Sequence, residues 1–314
     1  MDAPQVSVVV PVFNEEAVLP ALFARLYPAL DALGVAYEVV FVNDGSRDRS
    51  AALLREQFQK RPDATRVLLL GGNFGQHMAI MAGFEHSRGA RIVTLDADLQ
   101  NPPEEIARLL ARMDEGHDYV GSIRRRRRDP AWRRWASRSM NRLRERITRI
   151  RMTDQGCMLR AYDRAIVDAI RASREVSTFI PALAYSYAVN PVEIEVEHEE
   201  RHAGESKYSM YQLVRLNFDL VTGFSVLPLQ LFSLVGIFVA VVSLVVYVAV
   251  IAQRIVLGQD DTLWVIWDRD ILEFFLMGLV LLGLGLVGEY VGRIYQQVRD
   301  RPRYLVQAIL ERRE

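Results

Sequence analysis

The sequence of 314 residues has little cysteine and no excess of charge of either sign. Its one cysteine, Cys157, excludes an intramolecular disulfide and a cysteine-rich zinc site, and it favours a reducing compartment. Because 39 basic residues balance 39 acidic ones, the net charge gives no reason to expect nucleic acid as a partner. The amino terminus carries Asp2 and an apolar run at 6–12 that is too short for a secretory signal, so we expect no signal peptide.

Short apolar segments alternate with amphipathic ones over the first 125 residues. The apolar segments are rich in Val, Ile and Leu and predict buried parallel strands at 6–12, 37–43, 65–70, 90–95 and 118–123. The amphipathic segments predict helices at 15–33, 46–61, 76–88 and 103–115. This alternation predicts an α/β domain with a Rossmann-like, mostly parallel sheet, whose ligands bind beyond the carboxyl ends of the strands.

Two long apolar runs lie in the last third of the chain. Residues 220–253 carry no formal charge, and residues 271–292 contain only Glu273 and Glu289. About 20 apolar residues cross the hydrocarbon layer of a membrane, and a soluble core helix of this length rarely lacks a polar stripe. The sequence therefore predicts two transmembrane helices rather than a pair of buried core helices.

The flanking charges predict how these helices are oriented. The connection between them is acidic and the tail is rich in arginine, so the positive-inside rule keeps the tail and the amino-terminal region in the cytoplasm. The predicted organisation is an α/β domain at 1–205, an amphipathic interface segment at 206–228, spans at 229–252 and 271–292, an external loop at 253–270 and a basic tail at 293–314.

A strongly basic stretch occupies residues 124–151. It holds 13 arginines against two acidic residues, with Trp132 and Trp135 among them. Such a stretch is typical of a solvated basic helix, of a nucleic-acid site or of a surface that binds anionic lipid. The two predicted spans favour the membrane and phosphate interpretation.

Polar and acidic residues follow three of the predicted strands, as PVFNE at 11–15, NDGS at 43–46 and DADLQ at 96–100, and DQG lies at 154–156. Each alone is also typical of a helix cap or a turn, but the carboxyl ends of parallel strands meet at one edge. Alternate residues of an extended segment point the same way, so Asp96 and Asp98 can face one cation. Oxygen donors without His or Cys favour Mg²⁺ or Mn²⁺ shared with substrate phosphates.

Together these motifs resemble a known family. The stretches VPVFNE (10–15), VNDGS (42–46), DADLQ (96–100) and GESKY (204–208) are similar to those of the inverting GT-A glycosyltransferases of family 2, and within them of the polyprenyl-phosphate glycosyltransferases. The similarity covers essentially the whole chain, including GEYVGRIY at 288–295. GQH at 75–77, GCMLR at 156–160 and RDRPRY at 299–304 most resemble the group that transfers 4-deoxy-4-formamido-L-arabinose.

The resemblance implies a role for each candidate residue. It implies nucleotide binding by Pro11, Glu15 and Asp44, a metal at Asp96, Asp98 and Gln100, closure over the donor diphosphate by Arg201, Ser206 and Lys207, and acceptor-phosphate binding by Arg124, Arg138 and Arg160. Asp98 and Asp154 are the implied catalytic residues, with Asp154 and Arg160 beside the reaction centre. Because Arg124 begins a run of five arginines, the register of the acceptor site stays open.

The implied function is that of an enzyme in a bacterial inner membrane with a cytoplasmic catalytic domain. It would move a sugar, first of all 4-deoxy-4-formamido-L-arabinose, from its UDP donor to undecaprenyl phosphate for lipid A modification and polymyxin resistance. The resemblance also implies Mg²⁺ or Mn²⁺ and a homo-tetramer. Glucose transfer for O-antigen modification, a dolichol-phosphate-mannose-synthase-like activity and a non-catalytic membrane scaffold are the alternatives.

The acceptor itself bears on the mechanism. A lipid phosphate is already an anion near pH 7, because its second pKa is about 6. It needs no strong base to attack the anomeric carbon, so we expect Asp154 to position the sugar or the acceptor. A direct inverting displacement also needs no covalent step, which favours packing over nucleophilic catalysis for Cys157.

Overall fold

The computed structural model describes residues 4–124, 152–154, 156–173, 179–199, 226–257, 263–299 and 302–312. The chain divides into two compact units. The first consists of Met1–Tyr208 with Arg301–Glu314, and the second is Ser209–Asp300. Arg138, Arg201, Ser206 and Lys207, and most of the basic stretch 124–151, lie outside the described residues.

The first unit alternates strands and helices as predicted. Its elements are β1 (Val6–Val12), α1 (Leu19–Asp31), β2 (Tyr37–Asn43), α2 (Ser50–Lys60), β3 (Thr65–Leu70), α3 (Gln76–His86), β4 (Arg91–Thr94), a 3-10 turn (Pro103–Glu105), α4 (Ile106–Asp114), β5 (Tyr119–Arg124), β6 (Arg160–Asp163), α5 (Arg164–Ala172), α6 (Ile180–Tyr187), β7 (Pro191–Val196) and β8 (Val306–Leu310). The first three strands have the predicted bounds, and β4 and β5 differ from prediction by one or two residues.

The eight strands form one sheet in the order β7-β5-β6-β4-β1-β2-β3-β8. The pairs β1–β2, β1–β4, β2–β3 and β5–β7 are parallel, whereas β6 is antiparallel to β4 and β5, and β8 is antiparallel to β3. The prediction of a mostly parallel sheet is therefore confirmed, with two strands running against the others.

The central strands are buried on both faces. Val8, Val9, Val40 and Phe41 have no exposed surface, as expected for parallel strands covered by helices. On α1, the residues Leu19, Leu22, Leu26 and Leu30 recur at helical spacing and are also fully buried. Each such leucine contributes about 1.5–3 kcal/mol relative to an exposed position, so the apolar periodicity determines which face of α1 covers the sheet.

The last strand was not predicted from the sequence. Residues 293–314 were expected to form a basic cytoplasmic tail, but Val306–Leu310 pairs with β3 at the edge of the sheet. Its burial alternates between half-buried and exposed residues. The strand covers the edge of β3, which would otherwise expose a row of unpaired backbone groups.

The second unit contains two long helices, α7 (Leu227–Leu257) and α8 (Leu263–Val298). At 1.5 Å per residue they are about 46 and 54 Å long, longer than the hydrocarbon core of a membrane. Among the described residues, one segment, Leu276–Tyr295, is long and apolar enough to span a membrane, and a shorter apolar stretch covers Pro228–Val239. The span predicted at 229–252 stays a prediction.

The helices extend into the segment expected to be a loop. Residues 253–270 were predicted as an external connection, yet α7 continues to Leu257 and α8 already begins at Leu263. The prediction took charged residues as the limits of the spans. Charge limits how far a helix enters the hydrocarbon layer, but it does not end the helix itself.

Candidate active site

The loops after β1 and β2 are hydrogen-bonded to each other at the carboxyl edge of the sheet. The Asn14 amide donates to Ser46 Oγ (3.0 Å), the Arg47 amide donates to Asn14 Oδ1 (2.8 Å), and the Glu15 amide donates to Ser50 Oγ (2.9 Å). Asn14 adopts a positive φ of 55°, which Asn tolerates better than most residues. The predicted nucleotide residues Glu15 and Asp44 lie in these two loops, and Pro11 lies near the end of β1.

Asp44 also holds a third loop. Its carboxylate is 2% exposed and accepts hydrogen bonds from the amides of Phe74 (2.7 Å) and Gly75 (2.9 Å), in the loop between β3 and α3. The loop after β2 also packs closely against the loop after β3 at Gly45, the residue that follows Asp44. A Cβ on Gly45 would lie 2.4 Å from the backbone carbon of Gly72. Gly45 has a φ of +67° as well. Only glycine fits this approach, which explains the Asp-Gly pair after β2.

The stretch DADLQ follows β4 and alternates in burial. Ala97 and Leu99 are buried, whereas Asp96, Asp98 and Gln100 are half-buried. The strand ends at Thr94 and residues 97–100 form a turn rather than the extended segment expected, so the sharing of one cation by the two carboxylates stays a prediction. Leu99 has a positive φ of 58°, an uncommon conformation for a bulky residue and one associated with functional sites.

Three hydrogen bonds orient the polar side of this stretch. Gln76, the first residue of α3, donates from its side-chain Nε2 to Asp96 Oδ1 (2.6 Å). The backbone amide of Gln100 donates to Asp98 Oδ1 (3.1 Å). The Gln100 carbonyl accepts from the Glu199 amide (2.9 Å). The chain therefore reaches residue 199 beside the predicted metal residues, one residue before the segment that contains Arg201.

The donors at this edge fit a hard divalent cation. Two carboxylates and an amide oxygen are the ligand types that Mg²⁺ and Mn²⁺ accept, usually together with substrate phosphates. Over the described part of the chain, no three His, Cys, Asp or Glu side chains come together as a metal site. A cation held by Asp96 and Asp98 would thus complete its coordination with oxygens from water or substrate.

Asp154 lies in a turn that is held from inside the domain. Its side chain is 4% exposed, and its Oδ1 accepts the Gly156 amide (3.0 Å). Arg160 has no exposed surface and donates from Nη2 to the Asp154 carbonyl (2.6 Å) and from Nε to the Cys157 carbonyl (2.8 Å). Its Nη1 donates to the Tyr119 hydroxyl, and the guanidinium lies 5.9 Å from the centre of that ring.

This geometry corrects the role expected of Arg160. The resemblance implied that Arg160 binds the acceptor phosphate, but all three guanidinium nitrogens point to groups inside the domain. The residue holds the turn from Asp154 to Cys157 and is closed off from solvent. The pairing of Asp154 with Arg160 was predicted, but the contact runs through the Asp154 backbone.

Cys157 is buried in the same region. Its Sγ lies 2.8 Å from Ser122 Oγ and 3.3 Å from Asn101 Oδ1. Burial raises the pKa of its thiol, so the sulfur is protonated and unreactive at neutral pH. The structure agrees with a packing role.

His77 follows Gln76 on the first turn of α3. It belongs to the stretch GQH at 75–77, for which the sequence predicted no role. Its ring packs edge-on against Phe179, with centroids 5.5 Å apart. Burial lowers its pKa to about 4, so the imidazole is neutral at physiological pH. Its Nδ1 is buried and finds no hydrogen-bond partner in the described part of the chain.

Comparison with known proteins identifies the fold family. Residues 7–171, more than half of the chain, match the family described as Glycosyl transferase family 2. The chain belongs to this family. It is a glycosyltransferase with the predicted GT-A, Rossmann-like fold, and the edge described above is the carboxyl edge of its family domain.

Relatives match well beyond the family domain. The undecaprenyl-phosphate 4-deoxy-4-formamido-L-arabinose transferase of Pseudomonas paraeruginosa is 50% identical over 308 residues, 97% of this chain and 90% of its own length. The protein of the same name from Shewanella sediminis is 48% identical over 306 residues, 97% of this chain and 92% of its own. A solved structure, mannosyl-3-phosphoglycerate synthase from Rubrobacter xylanophilus, has a TM-score of 0.50 at 15% identity and covers 69% of this chain and 72% of its own; it shares the fold alone.

Proposed function

We propose that this family-2 glycosyltransferase transfers 4-deoxy-4-formamido-L-arabinose from its UDP donor to undecaprenyl phosphate. The observation that carries the proposal is the 50% identity to a transferase of that name over 97% of the chain. A match over 97% of the chain must include the long helices, which the family domain at residues 7–171 does not contain. A shared fold alone would not extend so far.

The donor occupies the carboxyl edge of the sheet in this proposal. Pro11, Glu15 and Asp44 hold the uridine, and their loops are already fixed by the hydrogen bonds between residues 14–15 and 46–50. The diphosphate lies toward Asp96 and Asp98. Arg201, Ser206 and Lys207 close over it from the segment that follows Glu199, which is bonded to Gln100.

Asp96, Asp98 and Gln100 hold Mg²⁺ or Mn²⁺ in this proposal. Such a cation supplies Lewis-acid stabilisation of the charge that develops on departing UDP. The chain's own contribution is to fix the carboxylates. The Gln76 amide group keeps Asp96 in place, and the Gln100 backbone keeps Asp98 in place, so little reorganisation is needed during the reaction.

The acceptor phosphate attacks the anomeric carbon from the face opposite UDP, and the configuration inverts. Since the phosphate is already ionised, no residue has to remove a proton. The proposed role of Asp154 is to position the sugar or the acceptor. The Gly156 amide fixes its carboxylate for this role, and Arg160 fixes its backbone. Arg124 and Arg138 offset the charge of the acceptor phosphate, and Arg160 holds the Asp154 backbone from the buried side of the turn.

The proposed location is the cytoplasmic face of a bacterial inner membrane. Leu276–Tyr295 is long and apolar enough to cross a membrane, and the apolar residues 229–252 form the second proposed span. The arginines of 124–151 face anionic lipid and the acceptor. We further propose a homo-tetramer, on the resemblance to the family alone.

A competition assay tests the proposed function. Detergent-purified protein receives undecaprenyl phosphate, Mn²⁺ and equal amounts of UDP-4-deoxy-4-formamido-L-arabinose and UDP-glucose, and the lipid products are identified by mass. We expect the formamido-arabinosyl lipid to form. A hexosyl lipid would overturn the choice of sugar, and the absence of both products would overturn the proposed reaction.

A further inference from the structure

The chain that follows α8 rejoins the first unit as residues 302–312. Arg303 donates to the Ser173 carbonyl and the Tyr304 hydroxyl donates to the Glu85 carboxylate, so this segment is fastened to α5 and α3 before it forms β8. Because β8 is antiparallel to β3, Val306 pairs with Leu70 at the site edge, and Leu310 pairs with Val67 nearer the opposite edge. The two ends of the strand therefore lie at different edges of the sheet.

At the site edge, Leu305 lies directly against Gly71. The Leu305 carbonyl accepts the Gly71 amide at 2.8 Å. A Cβ on Gly71 would lie 3.3 Å from Leu305 Cδ2 and 3.7 Å from the Leu305 carbonyl oxygen. A Cβ at position 71 would be tight against the end of the Leu305 side chain, which is 64% exposed, and in ordinary contact with its carbonyl oxygen, so a branched side chain there would reach further into Leu305.

Gly71 begins a short segment, called here the loop 71–76, which comprises the loop after β3 and the first residue of α3 and carries contacts to two parts of the site. Two residues of this loop, Phe74 and Gly75, donate their amides to Asp44 at 2.7 and 2.9 Å. The next residue, Gln76, donates its side-chain amide to Asp96 at 2.6 Å. One loop thus joins the predicted uridine residue to the predicted metal residue.

We propose that the backbone at Leu305 positions the nucleotide site, by holding the Gly71 amide and hence the loop 71–76. The inference rests on the proposed function, because it takes UDP as the ligand of Asp44 and the Asp96 region. Displacement of the loop lengthens the hydrogen bonds to Asp44 and Asp96 together, since all three lie within six consecutive residues. The segment that returns from α8 is then a functional part of the nucleotide site.

Substitutions at both sides of the contact test this proposal. UDP binding in the presence of Mn²⁺ is measured by calorimetry on the full-length protein in detergent, for the wild type, Gly71→Val, Leu305→Ala and the double variant. We expect Gly71→Val to weaken UDP binding about fivefold or more, and the double variant to recover to within about twofold of wild type, because directly contacting residues couple strongly. Leu305→Ala keeps the backbone carbonyl that accepts the Gly71 amide, so this single variant should also stay within about twofold of wild type. Gly71→Ala places a smaller group at the same point and gives the same comparison if Gly71→Val does not fold.

Glu311→Gln is the matched control. Glu311 lies at the opposite end of β8 and pairs with Arg66 (3.2 Å) and Arg88 (2.9 Å). Its loss should lower the melting temperature while the Kd for UDP stays within about twofold of wild type, as expected for a partly exposed ion pair remote from the site. For Gly71→Val the donor KM should rise and the turnover number should fall with it, because the same displacement loosens Asp96.

The outcomes separate the two proposals. Wild-type protein that binds no UDP overturns the proposed function and this inference with it. If the wild-type protein binds UDP but Gly71→Val binds it equally well, the role of Leu305 alone is overturned. The same holds if the double variant does not recover UDP binding. An equal loss of UDP binding in Glu311→Gln would also overturn it, because the effect would then reflect general loosening of β8.

Discussion

Tyr119→Phe tests the assignment of Arg160 as a residue that holds the Asp154 turn. The substitution removes one oxygen and keeps the ring, so packing against Tyr162 and the guanidinium is retained. What is lost is the hydroxyl that accepts a hydrogen bond from Arg160 Nη1. Both residues have no exposed surface, so water does not replace the missing oxygen.

The expected loss of stability follows from leaving the buried Nη1 donor of Arg160 without an acceptor. A hydrogen bond to a charged group contributes about 1.5–3 kcal/mol, and a buried donor left without a partner costs about as much. For a domain of this size, each kcal/mol shifts the melting temperature by roughly 2–4 °C, so we expect a decrease of about 3–12 °C. Burial raises the pKa of Tyr119, hence its hydroxyl is neutral and the effect should not vary between about pH 6 and 9.

Thermal unfolding in detergent and steady-state kinetics are the two assays. Because Arg160 also holds the Asp154 carbonyl, we expect kcat to fall several-fold while the KM for undecaprenyl phosphate is unchanged. Tyr187→Phe, at an exposed tyrosine at the end of α6, is the control and should change neither quantity. A raised acceptor KM with an unchanged melting temperature would refute the reasoning and return Arg160 to the acceptor site.

Four further predictions concern other parts of the molecule. Asp96→Asn and Asp98→Asn should each lower kcat/KM about 100-fold or more and weaken Mn²⁺ binding measured by calorimetry; full activity in either variant would exclude a role in catalysis. Arg201→Ala should raise the donor KM or lower kcat about tenfold, through loss of a charge-assisted contact to the diphosphate, and unaltered kinetics would remove that residue from the site. The pKa of His77 is lowered by burial to about 4; a depressed pKa gives stability that is complete above the unfolded value near 6.5 and is lost as pH falls toward 4, so His77→Phe should show a weaker fall in melting temperature over that range than wild type. Arg25 joins Glu104 and Glu199 at 3.0 and 2.9 Å on a partly exposed surface; Arg25→Met should cost no more than about 1 kcal/mol, and a larger loss of melting temperature would show that this bridge is stronger than its exposure indicates.

The amino-terminal half of the fold could be predicted because it obeys local rules. Strands β1, β2 and β3 are continuous apolar runs, and the residues that bound them are turn formers such as Asn14 and Gly45. The position of the candidate site follows from the same rules, because polar residues after parallel strands must meet at one edge. No information about distant contacts was needed for either prediction.

Strand β8 and the role of Arg160 depend on distant contacts, and the sequence did not indicate them. The strand has only five residues and follows the long apolar helix α8. Its partner β3 lies more than 200 residues earlier in the chain. Arginine is almost never fully buried, which made a phosphate ligand the natural expectation for Arg160. Burial becomes possible here because carbonyl groups and a tyrosine accept its protons.

The site therefore depends on two kinds of support that differ in origin. The Asp44 and Asp96 contacts come from consecutive βα loops, and they form wherever the sheet forms. The Leu305 and Arg160 contacts come from segments outside this consecutive series, one after the long helix α8 and one on the antiparallel strand β6. The residues proposed to bind the nucleotide thus lie in the first half of the domain, whereas the Leu305 contact and the bond that holds the Asp154 backbone come from the rest of the chain. A fragment ending before α7 should retain the loops that carry Asp44 and Asp96 but lack the Leu305 contact, and its affinity for UDP should be the lower for that reason.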